Sequence, residues 1–353
     1  MSKEGDILEL LRAESAEAAR KSQRALIIQP GAIGDCILTL PLAAFMKESL
    51  HLGGVNILGH TEYLGIFPGR TCVDSVSSID LIDLHRLFTK SKTFNLDDRD
   101  PLIRIFSGYS WVASFIGESG GDFEQNLIFT TNCSHNSEVI TLPLKPPDDF
   151  SEHLSSFYIN KFIEQSGLNL EFSYDITADN LLKTTQTDIV KGKQFLKESG
   201  INPNRKICVI QPGSGAINKC WHIDNYIAIA QELNTKDFEV IFFLGPVELE
   251  KFNQTKIKYL QSSANCFTDL SFSEVLELLC CAEIFIGNDS GITHLAASMG
   301  VKTYAVFGPT NHEIYKPLGS KVKIFKDDSS NFSKKSSIKK QQKLLTQLND
   351  DIG

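Results

Sequence analysis

No apolar stretch in this sequence approaches the ~18 residues that a membrane-spanning helix requires, and the N-terminus, MSKEGDILELLRAESAEAARK, has no apolar signal-type core. A soluble, cytoplasmic protein with at most peripheral membrane contact is expected. The eight cysteines (Cys36, Cys72, Cys133, Cys208, Cys220, Cys266, Cys280, Cys281) form no C-x-x-C pair, which removes the usual zinc and dithiol signatures. Several sit in apolar runs, as free, buried thiols of a reducing compartment would. Neither G-x-G-x-x-G nor G-K-[ST] occurs, so the dinucleotide fingerprint and the P-loop are both missing. Basic residues are also outnumbered. Lys+Arg total 35 against 43 Asp+Glu, a net charge of -8, whereas a nucleic-acid partner needs a basic face.

What is present is ample core material: 353 residues, 42% hydrophobic, which is more than one core usually serves and predicts two domains. Charge is spread unevenly, because residues 25–180 carry 9 basic and 20 acidic side chains while 181–320 carry 13 and 14. After Arg24 the chain runs ALIIQPGAIGD, an apolar strand of the buried parallel kind, then a Pro-Gly turn and the helical CILTLPLAAFMKES. The word recurs as KICVIQPGSGAINK, with Pro30 and Pro212 separated by 182 residues. Two similar α/β halves follow from it, each opening on a strand whose carboxyl end delivers a loop to a ligand; chance repetition of a common turn is the alternative. Further strands are predicted at 55–60, 137–144, 238–245, 282–288 and 302–308, with a capping box at Ser271 and Glu274 starting a helix and another helix over 187–199. The boundaries are a helical appendage over 1–23, a first domain over 24–165, a crossing over 166–186, a second domain over 187–326 and a lysine-rich tail helix over 327–353.

Three loops after strands carry the chemical residues. In the first (Gly31, Ala32, Ile33, Gly34, Asp35) small residues admit close approach of a ligand, and Asp35 is either a general base or only a helix cap. In the second, Ser214 and Gly215 precede Lys219, a set of backbone donors and a point charge that suits phosphate, or else a surface turn with a solvated lysine. The third, IFIGNDSGITHLAASMG, ends a buried strand and starts a helix. The amides of Ser290, Gly291, Ile292 and Thr293 there form an anion site at a helix N-terminus, and His294 one turn on is a ligand contact or a packed core residue.

Together, PGAIGD…LTLP, PGSG…NKCW and GNDSGITHLAA…FGPT resemble glycosyltransferase family 9, the heptosyltransferase-like enzymes, over roughly 24–60 and 187–320. The resemblance implies a GT-B fold of two Rossmann-like domains facing a cleft, the first holding a glycan or glycolipid acceptor and the second a nucleotide-diphospho-sugar. It also implies lipopolysaccharide biosynthesis, inverting transfer, no cofactor and no metal, with ADP-heptose as the leading donor. By position, Asp35 matches the catalytic base, Lys219 the lysine on the leaving diphosphate, Ser290, Gly291 and Ile292 the amide cradle, Asp289 the acid near the sugar and His294 its neighbour. Glu248 is assigned to a ribose hydroxyl and Leu270 to the base. Gln29 and Cys220 stand where the family often has a cation, and Asn311-His312 replaces Asp-Pro after GPT. Residues 61–165, with a GESGGDFEQN loop at 117–126, do not follow the family pattern. The acidic surplus there predicts a neutral or weakly charged acceptor unless Arg70, Arg86, Arg99 and Arg104 gather. A nucleotide-sugar epimerase or hydrolase, or a binding protein that has lost the chemistry, are the alternative readings.

Overall fold

The computed structural model describes residues 23–169, 181–252 and 254–327, together with Phe332 and Thr346. The appendage expected over 1–23 lies outside the described residues but for Gln23, as do residues 170–180 of the crossing and the tail helix beyond Asp327, save Phe332 and Thr346. The chain divides into two compact units, Met1–Ile176 and Thr177–Gly353.

In the first unit the elements are β1 (Arg24–Gln29), α1 (Ile33–Ser49), β2 (Gly54–Gly59), β3 (Ser75–Ser78), β4 (Trp111–Ser114), α2 (Asp122–Asn132), β5 (Glu138–Thr141) and α3 (Leu154–Ser166), with shorter helical turns between them. The strands form a parallel sheet in the order β3-β2-β1-β4-β5. β1 is central because RALIIQ is apolar on both faces, and only a strand covered on both sides tolerates that. α1 is buried from Cys36 to Met46, so it is a core helix rather than an amphipathic surface one. It packs on α3, where Phe45 meets Phe162 edge-on at 6.3 Å.

The second unit contains α4 (Gln186–Glu198), β6 (Lys206–Gln211), α5 (Ile223–Asn234), β7 (Phe238–Leu244), β8 (Asn265–Thr268), α6 (Phe272–Leu279), β9 (Ile284–Asn288), α7 (Gly291–Ser298), β10 (Lys302–Phe307) and β11 (Val322–Lys326), with short helices at Pro246–Lys251 and Gln254–Ser263. Its parallel sheet has the order β11-β10-β9-β6-β7-β8. The capping box predicted at Ser271 closes as expected: the Ser271 amide donates to Glu274 Oε2 at 2.8 Å, and the Glu274 amide to Ser271 Oγ at 3.3 Å.

Both sheets reverse direction beside the strand that carries Gln-Pro-Gly. From β1 the chain moves outward through β2 and β3, then returns to the other side of β1 at β4. From β6 it moves through β7 and β8, then returns at β9. Such a switch point leaves a crevice at the carboxyl ends of the two diverging strands, and ligands of open α/β sheets bind there. The repeat in the sequence is thus the repeat of one topological position.

Four strands go beyond the sequence reading: β3, β4, β8 and β11. Three are only four residues long, and β3 and β11 are edge strands with few buried positions, so no apolar run announces those two. The loop expected over 117–126 is a correction of another kind. Gly117 and Gly120 take positive φ and make the turn, but helix α2 already starts at Asp122 after Gly121. The eight thiols are free, as expected, although only Cys36 and Cys208 are fully buried and Cys133 is exposed.

Candidate active site

The carboxyl ends of β6 and β9 are tied together by side chains from both loops. Asn288, the last residue of β9 and fully buried, uses its whole amide: Nδ2 donates to the carbonyls of Pro212 (2.7 Å) and Gly213 (3.2 Å), and Oδ1 accepts from the Trp221 amide (2.8 Å) and the Tyr226 hydroxyl (2.7 Å). Ser214 Oγ donates to the Asp289 carbonyl at 2.6 Å. Asn288 closes β9, where the strand expected over 282–288 also ends.

Ser290 is the N-cap of α7, and its Oγ accepts from the Thr293 amide. That amide, expected in the anion site, is therefore spent on the cap. The N–H groups of Ser290, Gly291 and Ile292 have no acceptor among the described residues, and they stand at the positive end of the helix. A phosphate oxygen fits there without further provision.

Beside this cradle Lys219 Nζ donates to Asp289 Oδ2 at 2.8 Å, and His294 Nε2 lies 3.8 Å from Asp289 Oδ1. His294 is buried, and its Nδ1 has no partner among the described residues. Burial alone would raise the Asp289 carboxyl, but His294 and Lys219 together outweigh it and hold the group down at about 2. A depressed carboxylate stabilises the fold at every pH above its ordinary value of 3.8, and that contribution is lost as the pH falls from 3.8 towards about 2. Folding stability should drop by about 2 kcal/mol across that window. In Asp289→Asn this segment of the acid titration should be missing; equal slopes for the two proteins in denaturant melts between pH 4 and 2 would contradict the assignment.

Glu248 sits at the third position of its short helix and is buried. Its Oε2 accepts from the Gly245 amide at 3.0 Å and its Oε1 from Gln211 Nε2 at 3.0 Å. It borders a cavity of about 90 Å³ together with Gly213, Ser214, Cys220 and Trp221. Leu270, half-buried in the loop after β8, does not line that cavity. A larger hollow of about 720 Å³ opens at the amino ends of β9, β10 and β11, bordered by Glu283, Lys302 and Val322. Size does not make it the site, since the loops with free donors are at the opposite ends of these strands.

In the first unit Asp35 occupies the third position of α1, half-buried, with Oδ2 accepting from the Ala32 amide at 3.1 Å. Its Oδ1 has no partner among the described residues. Cap and base are therefore compatible roles for one carboxylate. Ile33 is buried, Ala32 is exposed, and Gly31 and Gly34 are half-buried. A Cβ at Gly31 would lie 2.7 Å from Asp35 Oδ2 and 2.9 Å from Gln29 Oε1, so only glycine lets the turn close on the acid.

Gln29, where a cation is often found, is fully buried and committed internally: Oε1 accepts from the Gly31 amide and Nε2 donates to Thr39 Oγ1, each at 2.9 Å. Thr39 Oγ1 in turn donates to the Asp35 carbonyl at 2.9 Å. The side chain at 29 thus shapes the loop. Asn311 caps the turn His312–Tyr315, its Oδ1 accepting from the Glu313 amide at 3.0 Å. Of the four arginines, Arg86 is held bidentately by Asp100 at 3.0 and 2.6 Å, while Arg99 and Arg104 are exposed. Among the described residues no group of three His, Cys, Asp or Glu side chains could hold a metal ion, and no helix is long and apolar enough to cross a membrane.

Two parallel-sheet α/β units, each with its chemical loops at the carboxyl side of a switch point, match the GT-B fold. The sequence model of "Glycosyltransferase family 9 (heptosyltransferase)" matches residues 170–345. Lipopolysaccharide heptosyltransferase 3 of Escherichia coli (strain K12) is 30% identical over 301 residues, covering 80% of this chain and 82% of that protein. Lipopolysaccharide heptosyltransferase 1 of Campylobacter coli is 24% identical over 307 residues, covering 80% and 83%. Among solved structures, ADP-heptose lps heptosyltransferase II of E. coli superposes with a TM-score of 0.67 at 15% identity, over 94% of this chain and 98% of that one. The chain belongs to glycosyltransferase family 9, the heptosyltransferase family.

Proposed function

We propose that this glycosyltransferase moves a heptose from ADP-heptose to a sugar hydroxyl of a lipopolysaccharide core acceptor, in one inverting step, on the cytoplasmic side and without a metal or other cofactor. The reading rests on one observation above all: the three unpaired amides of Ser290, Gly291 and Ile292 beside Lys219 at the switch point of the second unit. Departure of a nucleoside diphosphate develops negative charge on its phosphates, and preorganised donors with a lysine stabilise that charge. The names of the relatives supply the sugar and the acceptor class.

In this scheme Ser214 and Gly215 border the diphosphate, Asp289 and His294 face the transferred sugar, Glu248 takes a ribose hydroxyl and Leu270 lies towards the base. Asp35 removes the proton of the attacking hydroxyl as its oxygen bonds to the anomeric carbon and the diphosphate leaves from the opposite face. Loop residues Gly31 to Gly34 bound the acceptor. Lys219 must share its charge between Asp289 and the diphosphate, which places it to follow the phosphates as they leave.

A thermal-shift panel with ADP, UDP and GDP tests the donor. ADP at a hundredfold excess over its dissociation constant should add ~2.7 kcal/mol of stability. Lys219→Ala should shrink the ADP shift. Stabilisation by UDP or GDP but not ADP would overturn the donor assignment, and an unchanged shift in the variant would remove Lys219 from the phosphates.

A further inference from the structure

Gln211 belongs to none of the roles above, yet its side chain joins two of them. It ends β6, is buried, and does not line the cavity beside Glu248. Its Oε1 accepts from Ser290 Oγ at 2.7 Å, and its Nε2 donates to Glu248 Oε1 at 3.0 Å. One amide therefore bridges the cap of the phosphate cradle and the carboxylate assigned to the ribose, which lie on separate segments. We infer that Gln211 is a positioning residue that sets Glu248 in register with the diphosphate cradle, and so makes donor binding selective for the ribose hydroxyls. The inference rests on the donor site proposed above.

The chemistry fixes the orientation of the amide. A carboxylate only accepts hydrogen bonds, so the NH2 group must face Glu248 and the oxygen must face Ser290. An acceptor-only oxygen there takes the single hydroxyl proton of Ser290. The lone pairs of that hydroxyl are then left for the Thr293 amide, which keeps the cap formed and the preceding amides exposed.

On its other side Glu248 has no room to drift. The α-carbon of Gly213 is packed so closely on the Glu248 carboxyl that any Cβ there would overlap it. With the Gly245 amide on Oε2, the carboxylate is gripped from three directions, and Gln211 supplies a side-chain donor. The same position 182 residues earlier, Gln29, is also buried, but it bonds within its own turn and to Thr39 of the following helix, so the bridge between separate segments is particular to Gln211.

Isothermal titration of the full chain with ADP, 2′-deoxy-ADP and 3′-deoxy-ADP reads this directly. Wild type should bind ADP about tenfold or more tightly than one of the deoxy analogues, the range expected for a hydrogen bond to a charged group. In Gln211→Met that ratio should fall to about one, and in Glu248→Gln the further change Gln211→Met should leave the ratio unmoved, because the glutamine acts through the carboxylate. Should Gln211→Met prove insoluble, Gln211→Glu keeps the shape and the bond from Ser290 but turns a like charge on Glu248, and the same collapse is expected. Weaker binding of all three ligands by one common factor, with the ratio retained, means a merely structural role and overturns the inference. A wild-type ratio of one removes the ribose role of Glu248 itself, and absence of ADP binding in wild type removes the donor reading; in either case the inference falls with its premise.

Discussion

Asp35→Ala is expected to lower the rate of sugar transfer by about a thousandfold while ADP binding stays within about twofold of wild type, since a positioned general base contributes roughly 10²–10⁴ to a rate. The difficulty is that Asp35 also caps the first turn of α1 through the Ala32 amide, so alanine removes two things at once. Loss of such a cap costs ~1 kcal/mol of stability, which melting would show. Asp35→Asn separates the roles. An asparagine oxygen accepts from Ala32 as the carboxylate does, but an amide cannot take a proton from an attacking hydroxyl. The asparagine variant should therefore melt near wild type and be as slow as the alanine variant. Near-normal transfer in Asp35→Asn would reduce Asp35 to a cap and leave the reaction without its base.

Gly213→Ala should raise the KM for the sugar nucleotide by about a hundredfold or abolish saturation. A methyl group at this position overlaps the Glu248 carboxyl, and the overlap has only two reliefs. Either the 212–220 loop lifts, breaking the bonds from Asn288 Nδ2 to Pro212 and Gly213 and from Ser214 to Asp289, or Glu248 is pushed off Gln211 and the Gly245 amide. Both strip the donor site of placed groups, and overpacking of a tight site costs ~1–3 kcal/mol before any ligand contact is lost. Gly215→Ala is the internal control, because nothing lies within 4 Å of a Cβ there. It should leave the melting temperature unchanged. Equal kinetic effects of the two substitutions would show that the Glu248 contact does not govern the donor site.

The parts of this architecture that can be read from the sequence are those with an unmistakable pattern. The buried strands ALIIQ and ICVIQ announce themselves by apolar runs, and the loops that follow by their small residues. The edge strands β3 and β11, and the short β8, have neither, and only pairing to a formed sheet makes them strands, whereas β4 opens the apolar run WVASFI and is hidden only by its shortness. The chemical side chains are legible as motifs, whereas the residues that hold them are not. Asn288 reads as no more than the end of a strand, yet it is the buried clamp between the two donor loops. Gln211 and Gln29 are visible as a repeated word. Their meaning depends on partners from 2 to 79 positions away, and no local period encodes the longer of these distances. Thr293 reads as an open amide because a cap bond of Ser290 Oγ cannot be told from sequence. Leu270 is assigned by resemblance alone, and the structure leaves it outside the cavity beside Glu248.

The acidic surplus of residues 25–180 acquires a location as well. Asp100 is spent on Arg86, Asp74 on Lys47, and Asp122 on the Ser91 amide, so part of that acid is structural, although each ion pair also uses a base and leaves the surplus itself unchanged. Arg99 and Arg104 stay exposed on the same unit and are the side chains to test against an anionic acceptor.

Release of ADP from ADP-heptose, measured with and without a lipopolysaccharide core acceptor, checks the claim that Asp35 is the base of a glycosyl transfer. ADP release is expected to depend on the acceptor, to yield a product extended by one heptose of inverted anomeric configuration, and to disappear in Asp35→Asn. Release at the same rate without acceptor, or conversion of ADP-heptose to an epimer, would contradict that claim.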